Sequence, residues 1–192
     1  MGRIVVTEFV SLDGVMEDPG GAEDFKHGGW TFEIGRGEEG DRFKLDELVE
    51  AEAQLLGRVT YEGFAAAWPK MSDEAGFAEK MNTMPKYVVS STLQEAGWEN
   101  TTILGGDFVA EIEKLKREVD GVILVAGSCR LVQGLIEHDL VDELRLMVFP
   151  VVLGSGKRLF GETEDKKPLR LTDAKTVGDG ISILTYEPAR PA

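Results

Sequence analysis

Two short segments have the residue types and the spacing of a phosphate-binding turn. The first, Gly57-Arg58-Val59-Thr60, follows an expected strand at 54–56 and opens a helical pattern. A glycine at such a turn lets the backbone approach a phosphate, and a threonine in the first helical turn adds a hydroxyl and an N–H group. Arg58 could hold a 2′-phosphate with its planar guanidinium. The alternative is a glycine that ends a strand and precedes a surface arginine.

The second segment, Ala126-Gly127-Ser128, ends the apolar run at 122–126. That run is rich in β-branched residues and bounded by glycines, a pattern typical of a strand buried on both faces. Apolar residues at helical spacing follow it: Leu131, Val132, Leu135 and Ile136. The turn could bind a phosphate through Ser128, or it could serve only the packing of strand and helix. We expect this segment to be the central crossover of an α/β sheet, with a dinucleotide across the carboxyl end of the sheet.

Two other positions could contact a ligand. Ser90-Ser91-Thr92 ends the expected strand at 86–91 and offers hydroxyl groups, although serines are also common where a strand ends in a turn. Trp30 lies in a stretch at 17–40 that is rich in glycine and acidic residues, which we expect to be a long loop. Its indole ring could stack on a flat heterocycle or anchor the loop to the core, and anchoring is the simpler expectation.

Composition limits the possible partners. Of 192 residues, 21 are Lys or Arg and 35 are Asp or Glu, so the net charge is −14. This balance disfavours nucleic acid, because neutralising phosphates needs clustered basic residues. A single cysteine, Cys129, excludes an internal disulfide, and two distant histidines do not suggest a metal site. The N-terminus does not resemble a signal peptide, and no apolar run approaches the roughly 18 residues of a membrane span. We therefore expect a cytoplasmic protein with no membrane partner.

Strand and helix patterns alternate along most of the chain. Strands are expected at 3–10, 54–56, 86–91, 101–104, 122–126, 143–149, 169–174 and 181–186. Helices are expected at 41–52 with Asp41 as cap, from Arg58 towards Trp68, at 73–83, after Asp107 and after Ser128. The alternation predicts an α/β fold with a mixed sheet, parallel in the middle and antiparallel at one edge. With no internal repeat and no linker, a single domain over 1–192 is expected.

Several segments together resemble the dihydrofolate reductase fold, in the branch that contains the reductase half of the bifunctional riboflavin-biosynthesis deaminase/reductase. The matching segments occur in the order of that family and span nearly the whole chain. They are Ser11-Leu12-Asp13-Gly14, Leu56-Gly57-Arg58-Val59-Thr60-Tyr61-Glu62, Tyr87-Val88-Val89-Ser90-Ser91, Val125-Ala126-Gly127-Ser128 and Phe149-Pro150-Val151-Val152-Leu153-Gly154-Ser155-Gly156. The zinc-binding His and Cys motif of the deaminase half is absent, so the chain resembles the reductase module standing alone.

The resemblance implies a mixed, mostly parallel eight-stranded sheet with helices on both faces and an antiparallel C-terminal edge. It also implies bound NADPH and hydride transfer to a pyrimidine- or pteridine-like heterocycle. The activity would be similar to that of 5-amino-6-(5-phosphoribosylamino)uracil reductase. A homodimer is implied as well, and the strand near 144–149 is a candidate interface.

The resemblance also assigns residues to the two ligands. The cofactor-binding residues would be Gly57, Arg58, Thr60, Ser90, Ser91, Gly127 and Ser128. Asp13 would lie where the nicotinamide meets the substrate, so it could bind substrate or assist protonation, or it could only form the turn with Gly14. The substrate would contact Trp30, Gly154, Gly156 and Lys157, and no metal is expected. Ala126-Gly127-Ser128 departs from the glycine triplet of classical dihydrofolate reductases.

Two alternatives stay open. One is a reductase of another substrate class, such as a dihydrofolate-type pteridine or a xenobiotic carbonyl. Classical dihydrofolate reductases carry an acid on the first helix, where this chain has Asp46, Glu47 and Glu50, and the sequence does not choose among them. The other is a non-catalytic module that binds a nucleotide or pterin on the same fold.

Overall fold

The computed structural model describes residues 1–189, whose centre is one eight-stranded sheet. The strands are β1 (Arg3–Ser11), β2 (Ala51–Gly57), β3 (Lys86–Val89), β4 (Thr101–Leu104), β5 (Val122–Ala126), β6 (Glu143–Phe149), β7 (Leu169–Val177) and β8 (Ile181–Pro188). Their order across the sheet is β4-β3-β2-β5-β1-β6-β8-β7. The six strands from β4 to β6 run parallel, and β8 and β7 add antiparallel pairings at one edge. The predicted mixed sheet is therefore confirmed.

The central strands are those with the most continuous apolar sequence. β5 lies between β2 and β1, with Val6 opposite Val125 and Thr7 opposite Ala126. Such a strand loses access to water on both faces, which is why the apolar run at 122–126 needs no polar alternation. The prediction that this segment is a central crossover is confirmed.

Helices cover both faces of the sheet. They are α1 (Gly37–Glu50), α2 (Arg58–Ala67), α3 (Phe77–Thr83), α4 (Phe108–Glu118) and α5 (Cys129–Glu137), with short 3-10 helices at Trp30–Glu33 and Trp68–Lys70. Apolar side chains of α4 and α5 pack in one cluster with Ile4 and Val6 of β1. Those of α1, α2 and α3 pack in a second cluster with Val5, which points to the other face. Burial on both faces is the main source of the fold's stability.

The first helix differs from its expected range of 41–52. α1 begins at Gly37, after Arg36, and ends at Glu50. Asp41 is therefore not its cap, and the carboxylate of Asp41 instead pairs with Arg36 at 2.9 Å. Glycine and acidic residues made this start look like loop, yet negative charge in a first turn stabilises a helix N-terminus.

Several other strands and helices begin or end a few residues from their expected positions. β2 begins at Ala51, and β3 ends at Val89, so Ser90 and Ser91 follow that strand. α3 begins at Phe77 rather than at residue 73, because the Asp73 side chain accepts hydrogen bonds from the N–H groups of Phe77 and Ala78. β7 and β8 are longer than expected and flank the turn at 178–180.

The strand near 144–149 is an interior strand. β6 pairs with β1 on one side and with β8 on the other, so neither of its edges is free to pair with a second chain. That expected interface does not fit the sheet order. Within residues 1–189, no helix is long and apolar enough to cross a membrane, and no group of three or more acidic, His or Cys side chains is placed to hold a metal ion.

Candidate functional site

The carboxyl ends of β2, β5 and β1 meet at one edge of the sheet, where two helices begin. α2 starts at Arg58, directly after β2, and α5 starts at Cys129, just after β5. The first N–H groups of a helix have no intrahelical partner, and the helix dipole adds positive charge there. Two neighbouring helix N-termini at a sheet edge form an anion site, the arrangement found where open α/β sheets bind ligands.

The two turns that precede these helices touch each other. The N–H of Gly57 donates to Ser128 Oγ at 2.8 Å. A Cβ atom placed on Gly127 would lie 3.0 Å from Thr60 Cγ2 and 3.1 Å from Thr60 Oγ1, so only glycine fits without displacing Thr60. Ser128 accepts the Gly57 hydrogen bond and keeps its own hydroxyl proton for another acceptor. Four residues predicted from the sequence are thus brought together.

Arg58 lies at the first position of α2. Its guanidinium pairs with Glu62 one helical turn later at 3.0 Å, and both side chains are largely exposed. An exposed pair of this kind contributes little to stability. The guanidinium can therefore leave Glu62 at small cost.

Ser90 and Ser91 follow β3, which lies beside β2, so they reach the same edge of the sheet. The Ser90 hydroxyl accepts from the N–H groups of Thr92 and Leu93, at 3.2 and 2.9 Å, and the residue is buried. Ser90 therefore shapes the turn. Ser91 is exposed, and of the two serines it is the one available to a ligand.

Asp13 joins the turn after β1 to the loop after β6. Its carboxylate accepts hydrogen bonds from Ser11 Oγ at 2.6 Å and from the N–H groups of Leu153 and Gly154, at 3.1 and 2.9 Å. The Ser11 hydrogen bond, opposed by burial and assisted by the two N–H groups, lowers the pKa of Asp13 to about 2. Asp13 is therefore ionised at neutral pH, so the expected alternative of protonating a substrate does not fit it.

The loop at 154–158 is tied to the loop after β1. The N–H of Lys157 donates to Glu17 Oε2 at 2.8 Å, and Lys157 Nζ pairs with Glu17 Oε1 at 3.2 Å. A Cβ atom on Gly156 would lie 2.7 Å from Val15 Cγ1, and Gly154 has a left-handed φ of 80° with open space around it. The expected substrate residues Gly154, Gly156 and Lys157 thus lie in one loop that is hydrogen-bonded to Asp13 and Glu17.

Trp30 anchors its loop. Its side chain is 2 % exposed, its ring meets Phe149 edge-on at 5.3 Å, and its Nε1 donates to the carbonyl of Glu17 at 2.8 Å. A ligand ring would have to displace this packing before it could stack on the indole. The geometry favours anchoring over the expected substrate contact.

Two buried acids near this edge were not predicted as site residues. Glu8, in β1, accepts a hydrogen bond from the N–H of Gly127 at 3.1 Å, and burial raises its pKa well above the usual range. Glu47, in α1, accepts from Thr7 Oγ1 at 2.9 Å and pairs with Lys44 at 2.6 Å. Of the three α1 acids considered from the sequence, Asp46, Glu47 and Glu50, Glu47 is the buried one. The sequence feature that could have identified Glu8 is an acidic residue within the mostly apolar strand expected at 3–10.

Phe9, near the carboxyl end of β1, has two cationic side chains close to its ring. The Lys44 Nζ atom is 5.0 Å from the ring centre, and the Arg36 Cζ atom is 5.4 Å from it. Cations over an aromatic face are stabilised by the ring quadrupole. Each of these cations is also paired with a carboxylate of α1, Arg36 with Asp41 at 2.9 Å and Lys44 with Glu47 at 2.6 Å, so this side of the site carries no excess positive charge.

The family follows from a comparison of the sequence with protein-family models. The model of the RibD C-terminal domain matches residues 3–183. The chain belongs to the RibD C-terminal domain family. This confirms the resemblance to the riboflavin-pathway reductase, and the family together with the fold supports a reductase-type function.

Similar proteins match nearly the whole length of the chain. The "Uncharacterized protein YyaP" of Bacillus subtilis (strain 168) is 30% identical over 188 residues, which cover 96% of this chain and 94% of YyaP. The "Putative riboflavin biosynthesis protein" of Shewanella sp. PV-4 has a structure with a TM-score of 0.79 and 23% identity, covering 98% of this chain and 99% of that one. Dihydrofolate reductase from Enterococcus faecalis, complexed with NADP(H) and RAB-propyl, gives a TM-score of 0.57 at 15% identity, covering 98% and 97% of the two chains. The last two likenesses show the shared fold.

Proposed function

We propose that this chain is an NADPH-dependent reductase that transfers a hydride to a pyrimidine- or pteridine-like heterocycle. The observation that carries the proposal is the contact between the two turns at Gly57–Thr60 and Gly127–Ser128, each of which opens a helix. A reductase of this fold needs a dinucleotide at the carboxyl edge of its sheet. Two adjoining helix N-termini supply the backbone donors for its pyrophosphate.

The side chains around these turns fit the rest of the cofactor. Arg58 would move from Glu62 to the 2′-phosphate, which distinguishes NADPH from NADH. Ser91 would contact the adenosine side, and the free proton of Ser128 would go to a phosphate oxygen. Because the net negative charge of the protein repels anions, the affinity for the anionic cofactor must come from local hydrogen-bond donors and from Arg58.

The substrate would lie beside the loops that Asp13 joins. Leu12 after β1 and Val152 after β6 are both 67% exposed, which is unusual for apolar side chains next to a core and suits contact with a flat ring. Asp13, Gly154 and Lys157 would shape the pocket. NADPH, when bound, supplies the hydride. The residues described here orient the two rings and exclude water.

The experiment is a fluorescence titration of the folded protein with NADPH and with NADH. Wild type should bind NADPH more tightly, and Arg58→Ala should weaken NADPH binding by about ten- to a hundredfold while leaving NADH nearly unchanged. Arg117→Ala is a matched control, since Arg117 is exposed in the last turn of α4, away from the two turns. Binding of neither nucleotide by folded wild type would contradict the proposal.

Turnover distinguishes the open alternatives. Oxidation of NADPH, followed by its absorbance, should occur with an aminopyrimidine such as 5-amino-6-(5-phosphoribosylamino)uracil or with a pteridine that is not a folate. Oxidation with dihydrofolate or a xenobiotic carbonyl instead would identify a reductase of another class. NADPH binding without oxidation by any of these compounds would identify a non-catalytic module.

We also propose a cytoplasmic homodimer whose contact involves the outer strand β7. Eight of the nine residues of β7 are exposed, including Leu169 and Leu171 at 42 and 50%. A free edge strand with exposed apolar side chains is prone to pair with another chain. Light scattering should give twice the chain mass for wild type, and Leu171→Lys should shift the protein towards monomer. A monomeric wild type at micromolar concentration would contradict the proposal.

A further inference from the structure

Glu8 is a carboxyl group on an otherwise apolar face of the central strand. Ile4, Val6 and Val10 share that face and pack with side chains of α4 and α5. Glu8 is 6 % exposed. A carboxyl group in these surroundings costs free energy that an apolar side chain would not. The fold alone therefore does not explain why a glutamate occupies this position.

The contacts of Glu8 are few and are directed to one turn. Its Oε2 atom accepts the hydrogen bond from the N–H of Gly127 at 3.1 Å. Its Oε1 atom is buried and has no hydrogen-bond partner among the described residues. The charged or titratable groups that act on Glu8 are Lys44 and Glu47 of α1, with opposite effects, and Cys129 of α5 also lies within its electrostatic reach.

Burial governs the charge of this group. It raises the pKa of Glu8 well above the usual range, against the smaller opposing effects of the Gly127 hydrogen bond and of Lys44. Burial therefore favours the neutral form of this carboxyl group over the ionised form. A neutral acid can accept the Gly127 hydrogen bond without placing a negative charge beneath the two helix N-termini.

The turn that Glu8 contacts has an unfavourable backbone conformation. Gly127 and Ser128 both have left-handed φ values, 70° and 67°. Glycine adopts this region freely, whereas a residue with a Cβ atom pays about 1–2 kcal/mol. Two hydrogen bonds from outside the turn hold it in place: Gly127 to Glu8, and Gly57 to Ser128.

We infer that Glu8 is a positioning residue, which holds the Gly127–Ser128 turn in the shape that receives the anionic part of the cofactor. The inference rests on the proposed function and adds a role that sequence motifs did not reveal. Glu8 accepts the hydrogen bond that restrains the turn, and its side chain is too deeply buried to contact the ligand itself. Removing that bond should loosen the turn without weakening the core.

Two substitutions separate positioning from a structural role. Glu8→Gln keeps an acceptor for the Gly127 N–H and has no charge at any pH. Glu8→Leu removes the acceptor but fills the space with apolar atoms. The measurements, at about pH 7, are amide hydrogen exchange at Gly127, NADPH affinity, and the free energy of unfolding in urea.

Glu8→Gln should keep wild-type protection of the Gly127 amide and wild-type NADPH affinity. Glu8→Leu should exchange that amide about three- to tenfold faster and bind NADPH about three- to tenfold more weakly, which is the worth of one hydrogen bond. Its free energy of unfolding should equal or exceed that of wild type, because a buried carboxyl has been removed. Wild-type exchange at Gly127 in Glu8→Leu would overturn the inference.

The exchange measurement separates this inference from the function on which it rests. If no variant binds NADPH but Gly127 still loses protection in Glu8→Leu and keeps it in Glu8→Gln, the proposed function fails while the positioning role of Glu8 stands. If wild type binds NADPH and Glu8→Leu binds it equally well, the reductase proposal stands and the inference is wrong.

Discussion

The ammonium group of Lys86 lies 4.3 Å from the ring centre of Trp98, inside the protein. Lys86 is fully buried in β3, and its Nζ atom donates to the carbonyl groups of Asn82, Met84 and Glu99 at 2.7, 2.9 and 3.1 Å. Two of these carbonyls belong to the C-terminal end of α3, where a positive charge is favourable. A buried lysine thus joins the end of this helix to the outer strands.

Replacing this lysine should destabilise the fold without affecting ligand binding. Lys86→Met fills most of the space but leaves the three carbonyls without their donor, which costs roughly 1–3 kcal/mol for buried acceptors. Urea unfolding of wild type and variant at about pH 7 gives the difference. Lys70→Met, at an exposed position of the 3-10 helix Trp68–Lys70, is the control and should change stability by less than about 0.5 kcal/mol. Equal stability of Lys86→Met and wild type would show that water replaces the donor.

Lys86 should also give the stability an alkaline pH dependence. Burial lowers its pKa to about 8, whereas an unfolded lysine has a pKa of about 10.4. Between these values the unfolded state binds more protons than the folded state, so the free energy of unfolding due to this group rises with pH, by at most about 1.4 kcal/mol per pH unit. Below about pH 8 it contributes no slope. Lys86→Met should lack this rise, and a variant whose slope matches that of wild type would contradict the assigned pKa.

Local signals predicted the two turns that open α2 and α5. A strand followed by glycine and a helix start is visible in the sequence at Gly57 and at Gly127. Because the carboxyl ends of neighbouring parallel strands meet, the mixed-sheet prediction was enough to bring Thr60 and Ser128 to the same edge. The alternation of strand and helix patterns also predicted the antiparallel edge, and the family resemblance then predicted a single eight-stranded sheet.

Contacts between residues far apart in the sequence determine the properties of Asp13 and Glu8 that local patterns could not predict. The carboxylate of Asp13 meets Leu153 and Gly154, which lie 140 and 141 residues away, and these N–H groups assist the nearby Ser11 hydroxyl in lowering its pKa. Glu8 is buried because helices cover both faces of β1, whereas a strand with one open face would expose it. Burial by tertiary packing is invisible to a residue-by-residue pattern.

Ser128 allows backbone strain and hydrogen bonding to be tested separately. Ser128→Gly relieves the left-handed φ of 67° but loses the oxygen that accepts from Gly57, so the two effects, each about 1 kcal/mol, should nearly cancel in the free energy of unfolding. Ser128→Ala keeps the strain and loses the acceptor, so it should be less stable than wild type by about 1 kcal/mol. Both variants should bind NADPH about three- to tenfold more weakly, since both lack the hydroxyl. Thermal unfolding and nucleotide titration measure the two effects, and equal stability of the Gly and Ala variants would exclude strain at this position.

Asp13 should make the stability sensitive to acid. Its pKa is about 2 in the folded protein and about 3.9 in an unfolded chain. Its stabilising contribution is therefore complete above about pH 4 and disappears as the pH falls towards 2. Asp13→Asn should be less stable than wild type by about 1–2 kcal/mol near pH 7, because a neutral amide accepts the Leu153 and Gly154 hydrogen bonds more weakly than a carboxylate does.

The decisive measurement for Asp13 is the difference in unfolding free energy between wild type and Asp13→Asn as the pH is lowered. This difference should shrink steadily between about pH 4 and pH 2, because protonation converts wild type into a neutral acid that resembles the variant. Asp24→Asn makes the same charge change at an exposed position of the neighbouring loop and should show no such convergence. A difference that stays constant down to about pH 2.5 would mean that the Ser11 and backbone hydrogen bonds do not hold the ionised form. Asp13 would then join the two loops through hydrogen bonds that do not depend on its charge, and its carboxyl group would again be a candidate proton donor.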